Sequence, residues 1–215
     1  MQHSEENLIW SALDTPTVYP KDWDLFWSAW EKHSGASHII KSDPAGNLCS
    51  DTSKDVDFFK GLDIYAKEDK LLTENHWKVP YLDYKEIFPN LLDDLNTAFP
   101  WADILFCRLW MSNMPIPWHR DYTSEPGTLR AMIYDENPKP TFKIFNAKAG
   151  VHYINLPKET NTFMYNNQTC FHGSDRQEGI NKIVLIIIHK TKDKDQLNNL
   201  LEASAARFPD RCKYL

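Results

Sequence analysis

The sequence predicts a mainly β fold with flanking helices, its core lying at about 101–190. Two observations carry this. From Trp101 onward, short apolar or alternating runs recur: ADILFCRLWM, LRAMIYD, TFKIFN, VHYINL, NTFMYN and KIVLIIIHK. Between them stand SNMP, SEPG, ENPKP, KAG, PKE and SDRQEG, the turn chemistry expected between strands of a β-sandwich or barrel.

The flanks read differently. Residues 1–100 are expected to form a helical N-terminal region packing on the core. Pro20 followed by KDWDLFWSAWEKH suits a helix, with Leu25, Trp27 and Trp30 apolar and Asp22 near the positive end of the helix dipole. Residues 41–57, rich in Ser, Asp, Pro and Gly, read as a loop. A second helix is expected at about Asp83–Ala98, where Ile87, Leu91, Leu92 and Leu95 recur at helical spacing and Pro89 suits a first turn. After the core, KDQLNNLLEASAARF returns to a helical pattern, which makes 191–215 a C-terminal helix.

Composition narrows the partners. The chain has 215 residues, 42% hydrophobic and 25% charged, which is ordinary for one globular domain with elaborations. Its net charge is −6 and it has no Lys/Arg-rich run, so nucleic acid is not an expected partner. Cys49, Cys107, Cys170 and Cys212 lie far apart without a CxxC, which argues against a disulfide framework or a thiolate zinc site. MQHSEENLIW lacks the basic and apolar regions of a secretory leader, and the apolar run Ile183–Ile188 is too short to cross a bilayer. A cytoplasmic protein without a membrane partner is the expectation.

The stretch PIPWHRD carries the first chemistry. A His-x-Asp pair arises by chance about 0.7 times in such a composition, so its context must decide. If Trp118–Asp121 begins a strand, His119 and Asp121 share one face, and Trp118 and Arg120 take the other. One imidazole and one carboxylate leave a metal site incomplete. His172 in TCFHGSD, just after the strand NTFMYN, is the candidate third ligand. Two His and one carboxylate make the facial triad of non-haem Fe(II) oxygenases. Lys182 opens the strand KIVLIIIHK, from which a cation can reach inward to an anionic co-substrate. The order is a strand with HxD, four strands, His, a spacer, then Lys on a strand.

RLWMSNMPIPWHRD, LRAMIYD and NTFMYNNQTCFHGSDRQEGINKIVLIIIH together resemble the Fe(II)/2-oxoglutarate-dependent oxygenases, nearest the aspartyl/asparaginyl β-hydroxylase-like branch with its proline hydroxylases. The resemblance covers about Leu105–His189. It implies a double-stranded β-helix (jelly-roll, cupin-like) core. It implies Fe(II) held by His119, Asp121 and His172, with Lys182 and Arg130 binding 2-oxoglutarate. It further implies a dioxygenase that uses O2 to hydroxylate an amino-acid, peptide or protein substrate while 2-oxoglutarate becomes succinate and CO2.

Other readings stand beside this one. His152 and His189 read as packing or surface residues, and Asp93–Asp94 as a solvated helix face. Ser174 lacks the G-x-S-x-G setting of a nucleophile. Trp101, Trp110, Trp118 and Tyr122 are candidate walls of a substrate pocket. The first hundred residues could build that pocket, dock a partner or form a homodimer. The competing functions are a non-catalytic cupin-like metal-binding or structural module and a non-oxidative metal enzyme such as an isomerase.

Overall fold

The computed structural model describes residues 3–18, 38–40, 77–79, 91–111, 116–120, 125–135, 139–175 and 182–215. The expected helix after Pro20, the expected loop at 41–57 and residues 83–90 lie outside them.

The described chain is mainly β, and its paired strands run antiparallel. The strands are β1 (Leu8–Ala12), β2 (His38–Ile40), β3 (Trp77–Val79), β4 (Ala102–Met111), β5 (Ile116–His119), β6 (Gly127–Asp135), β7 (Phe142–Asn146), β8 (Gly150–Tyr153), β9 (Thr162–Asn166), β10 (Phe171–Ser174), β11 (Lys182–Thr191) and β12 (Cys212–Tyr214). The α-helices are α1 (Leu91–Ala98) and α2 (Lys194–Arg207). A six-stranded sheet has the order β12-β1-β9-β6-β11-β4, a four-stranded sheet the order β5-β10-β7-β8, and β2 pairs with β3.

Alternation sorts the large sheet into two buried faces. Leu129, Ala131 and Ile133 of β6, Met164 of β9, and Leu185 and Ile187 of β11 cluster with Leu91 and Leu95 of α1 and Leu197 and Leu201 of α2. On the opposite face, Ile9, Phe163 and Tyr165 cluster with Phe142 and Ile144 of the small sheet. The layers are therefore helices, large sheet, small sheet. Each fully buried Leu or Ile contributes roughly 1.5–3 kcal/mol, so both faces hold the layers together.

Several expectations are corrected. Leu8–Ala12 is a strand, where the first hundred residues were expected to be helical. All five of its residues are buried between β12 and β9, and such a short apolar run has no period to distinguish strand from helix. The C-terminal segment is a helix followed by a strand: Asp193 caps α2 by accepting from Gln196 N at 2.9 Å, and β12 then pairs with β1. VHYINL stops being a strand at Tyr153. Among the described residues no helix is long and apolar enough to cross a membrane.

Candidate metal centre

The strand carrying PIPWH runs Ile116–His119, so it ends at His119 where the sequence reading began it at Trp118. Pro117 has no N–H to donate to a ladder, which suits β5 to the edge of the small sheet. Asp121 lies outside the described residues, and for His119 the backbone position is described.

His172, expected just after the strand NTFMYN, sits in a short strand of its own, β10. Asn166 makes that turn. Its Oδ1 accepts from Gln168 N and Thr169 N, both at 3.0 Å, and its Nδ2 donates to Glu5 O at 3.2 Å. From the other side, Asn146 Nδ2 donates to Thr169 O at 3.1 Å. The chain thus leaves β9 in the large sheet and enters β10 in the small one with its direction set.

The register of β10 is the central observation. His172 is directly opposite His119 on β5 and Ile144 on β7. Directly opposed positions of an antiparallel pair share a face, with Cβ atoms about 4.5–5.5 Å apart. The neighbours identify that face. Trp118, Phe145 and Phe171 form a buried cluster on the outer side, and Arg120 Cζ lies 4.0 Å above the Phe171 ring. Arg120 also donates to Gln168 O at 3.1 Å. Trp118 and Arg120 therefore face outward, as period two requires, and position 119 falls on the inner face with His172.

Inside the sandwich His172 is 2% exposed. Its ring lies 5.8 Å from Phe142 and nearly parallel to it, and 5.0 Å from Tyr165 of the facing sheet. Arg130, also 2% exposed, lies opposite Phe163 and Ile186 and donates through Nη2 to Tyr165 Oη at 3.1 Å. Tyr165 thus joins Arg130 to His172.

Lys182 opens β11 opposite Asp135. Alternation puts positions 182, 184 and 186 on the face that carries Arg130. Lys182 is four residues from the Arg130 level, about 13 Å along the strand. The structure therefore opposes positions 119 and 172, links Arg130 to His172 through Tyr165, and leaves position 182 towards the sheet's end. Among the described residues no three His, Cys, Asp or Glu side chains converge on a metal.

No protein-family model, curated protein or solved structure matches this chain.

Two suggested pocket residues move elsewhere. Trp101 belongs to the helix-side core, edge-on to His189 at 5.1 Å, and Trp118 faces away from His172. Tyr122 and the Trp110 side chain lie outside what is described. His189 packs in the core, while half-buried His152 bonds Ala149 O through Nε2 at 3.1 Å. Ser174 is buried on β10, and its Oγ donates to Asp175 O at 3.3 Å. Burial raises the Cys170 thiol pKa above its ordinary value, so a thiolate ligand two residues before His172 is disfavoured. The sequence reading missed Tyr165 and Phe142. Their only signal was alternation in NTFMYN and TFKIFN, which marks a core residue and a site wall alike.

Proposed function

We propose that this chain is a cytoplasmic Fe(II)/2-oxoglutarate-dependent dioxygenase that hydroxylates an amino acid, a peptide or a protein side chain. The observation that carries the reading is the opposition of His119 and His172 on β5 and β10. A pair of imidazoles with an adjacent carboxylate is a donor set that suits Fe(II) and leaves coordination positions open.

Strand order supports a jelly-roll reading of the core. Counted from β4 to β11, strands 1, 8, 3 and 6 lie side by side in the large sheet, and 2, 7, 4 and 5 in the small one. That interleaving belongs to two nested Greek keys. Four strands separate the one ending at His119 from the one carrying His172, as the motif order anticipates.

In this proposal His119, Asp121 and His172 hold the metal. Arg130 and Lys182 supply the positive charge for the carboxylates of 2-oxoglutarate. Phe142, Phe163 and Tyr165 keep the interior dry, which strengthens every charge interaction there. Bound Fe(II) with 2-oxoglutarate and O2 supplies the oxidising chemistry, yielding succinate, CO2 and hydroxylated substrate.

The test is anaerobic addition of Fe(II) and then 2-oxoglutarate, followed by oxygen. A weak visible charge-transfer band and succinate release are expected, with succinate rising when candidate amino acids or peptides are added. Both signals should vanish in His119→Ala, Asp121→Ala and His172→Ala. Wild-type protein without band or succinate excludes the dioxygenase. Metal binding without 2-oxoglutarate dependence points to an isomerase-type enzyme, and neither signal to a cupin-like module.

A further inference from the structure

We infer that Tyr165 and Arg130 are positioning residues for the His172 imidazole, with Arg130 acting through Tyr165. This rests on reading His172 as a metal ligand. It assigns Arg130 a role beyond contact with a co-substrate.

The geometry is a chain across two layers. Tyr165 and Arg130 stand on adjacent strands of the large sheet, β9 and β6, and His172 on the small one. The His172, Tyr165 and Phe142 rings form a closed triangle, with centroid separations of 5.0 Å, 5.8 Å and 5.8 Å. An imidazole lodged between a near-parallel ring and a tilted one has little freedom to rotate about its outer torsion. A histidine ligand must present one ring nitrogen along one direction, so lost torsional freedom becomes directional precision.

Tyr165 needs fixing in its turn. Its ring stands between His172 and Arg130, whose Cζ is 5.9 Å from the ring centroid. Arg130 Nη2 donates to Tyr165 Oη at 3.1 Å. A guanidinium only donates, so Tyr165 Oη is the acceptor and its own proton points away from Arg130. The bond anchors the far end of the ring that packs on His172. Burying a guanidinium in a sandwich is costly, and this anchoring gives its position a structural purpose.

The two possible roles of Arg130 separate experimentally. A residue that only clamps the co-substrate changes 2-oxoglutarate affinity and leaves metal affinity alone. A positioning residue changes metal affinity before any co-substrate is added, and its loss is non-additive with loss of the Tyr165 hydroxyl.

Co(II) is the probe, titrated into the full chain without oxygen or 2-oxoglutarate, with its visible d–d bands reporting ligand geometry. His172→Ala should abolish binding. Tyr165→Leu should weaken it about 10–100-fold and shift the bands, the range expected for partners that orient a ligand. Tyr165→Phe and Arg130→Gln should each weaken it several-fold, the double variant should be no worse than either, and Arg130→Lys should recover part of the loss. Thermal melting checks that each variant is folded, and the mild Tyr165→Phe change keeps the test decisive if Tyr165→Leu does not fold. Weak binding in His172→Ala alongside wild-type binding in Tyr165→Leu or, where that variant does not fold, in Tyr165→Phe overturns this inference alone. So does simple additivity of Arg130→Gln and Tyr165→Phe. Unchanged binding in His172→Ala overturns the metal-centre reading and this inference with it.

Discussion

Lys143 Nζ lies 4.8 Å from the centre of the Trp118 ring, although β10 runs between their strands. The contact spans two inter-strand spacings, about 10 Å. It is feasible because Gly173 stands opposite Lys143 on β10 and puts no side chain in the way. Asp175 completes the arrangement, bound to Lys143 Nζ at 2.6 Å through one oxygen and to Tyr153 Oη at 2.7 Å through the other. The outer face of the small sheet is thus tied across β5, β10 and β7, behind the opposed histidines.

Asp175→Asn should destabilise more than Lys143→Met. Lys143 is 1% exposed and Asp175 41% exposed. Losing the carboxylate takes a charged partner from a buried ammonium, at about 2–3 kcal/mol once the partial exposure of Asp175 is discounted. Losing the ammonium leaves a carboxylate that water can reach and a Met that fills the space, at about 1 kcal/mol or less. Urea midpoints at constant slope measure both, and the reverse ranking would refute the account.

Asn166→Ala should cost about 2–3 kcal/mol, because it strips the acceptor from two turn amides and the donor from Glu5 O in a buried setting. Asn166→Asp keeps the acceptor and should cost less at neutral pH. Since this turn aims β10, amide hydrogen exchange at Phe171–Ser174 should quicken in the alanine variant. Equal losses in the two variants would show that the turn acceptor contributes little.

Two glycines should fail for different reasons. A Cβ on Gly127 would stand 2.7 Å from Glu5 Oε1 and 2.8 Å from Met164 Sδ, so Gly127→Ala is overpacked and should cost about 1–3 kcal/mol. Gly150 has φ +82° with open space around it, so Gly150→Ala pays only backbone strain, about 1 kcal/mol. Asn tolerates that conformation, and Gly150→Asn should recover part of the loss. Deleting the Glu5 carboxyl (Glu5→Ala) should relieve Gly127→Ala and leave Gly150→Ala unchanged.

The strands most readable from sequence were the longest apolar or alternating runs bounded by turn residues. β4, β6 and β11, nine or ten residues each, are of this kind. β5 and β10 were less legible because each is four residues long, and Pro and Gly interrupt them. Those two carry the histidines, so the motif order was visible while the register that opposes them was not. Register depends on turns such as Asn166–Thr169 and on packing between sheets. Tyr165 and Trp118 show the same limit. Both are aromatic residues of short strands, and only the assembled layers put one against His172 and the other behind it.

Stability should fall as the pH drops below about 6.5, and His189 should contribute to the slope. His189 is buried beside Trp101, and loss of hydration there lowers its pKa from 6.5. Above that value the ring is neutral in both states and no proton is exchanged on folding. As the pH falls through 6.5 the unfolded chain takes up a proton that the folded chain refuses, so stability declines until the folded pKa is reached. The limit is about 1.4 kcal/mol per pH unit for one group. Half-buried His152 is lowered by the same cause and adds in the same direction. Glu5 has the opposite sign. Burial raises its pKa above 4.5, so acid protonates the folded chain first and relieves a desolvated carboxylate, in the interval between its folded value and 4.5. Denaturation of the wild type and of one variant for each group, at about pH 7.5 and about pH 5.5, tells the two apart. His189→Phe keeps an edge-on ring against Trp101 and should flatten the decline. Glu5→Gln keeps an acceptor for Gly127 N, and should raise stability at the higher pH while leaving the His189 slope intact. A wild-type slope in His189→Phe would place the titrating group elsewhere.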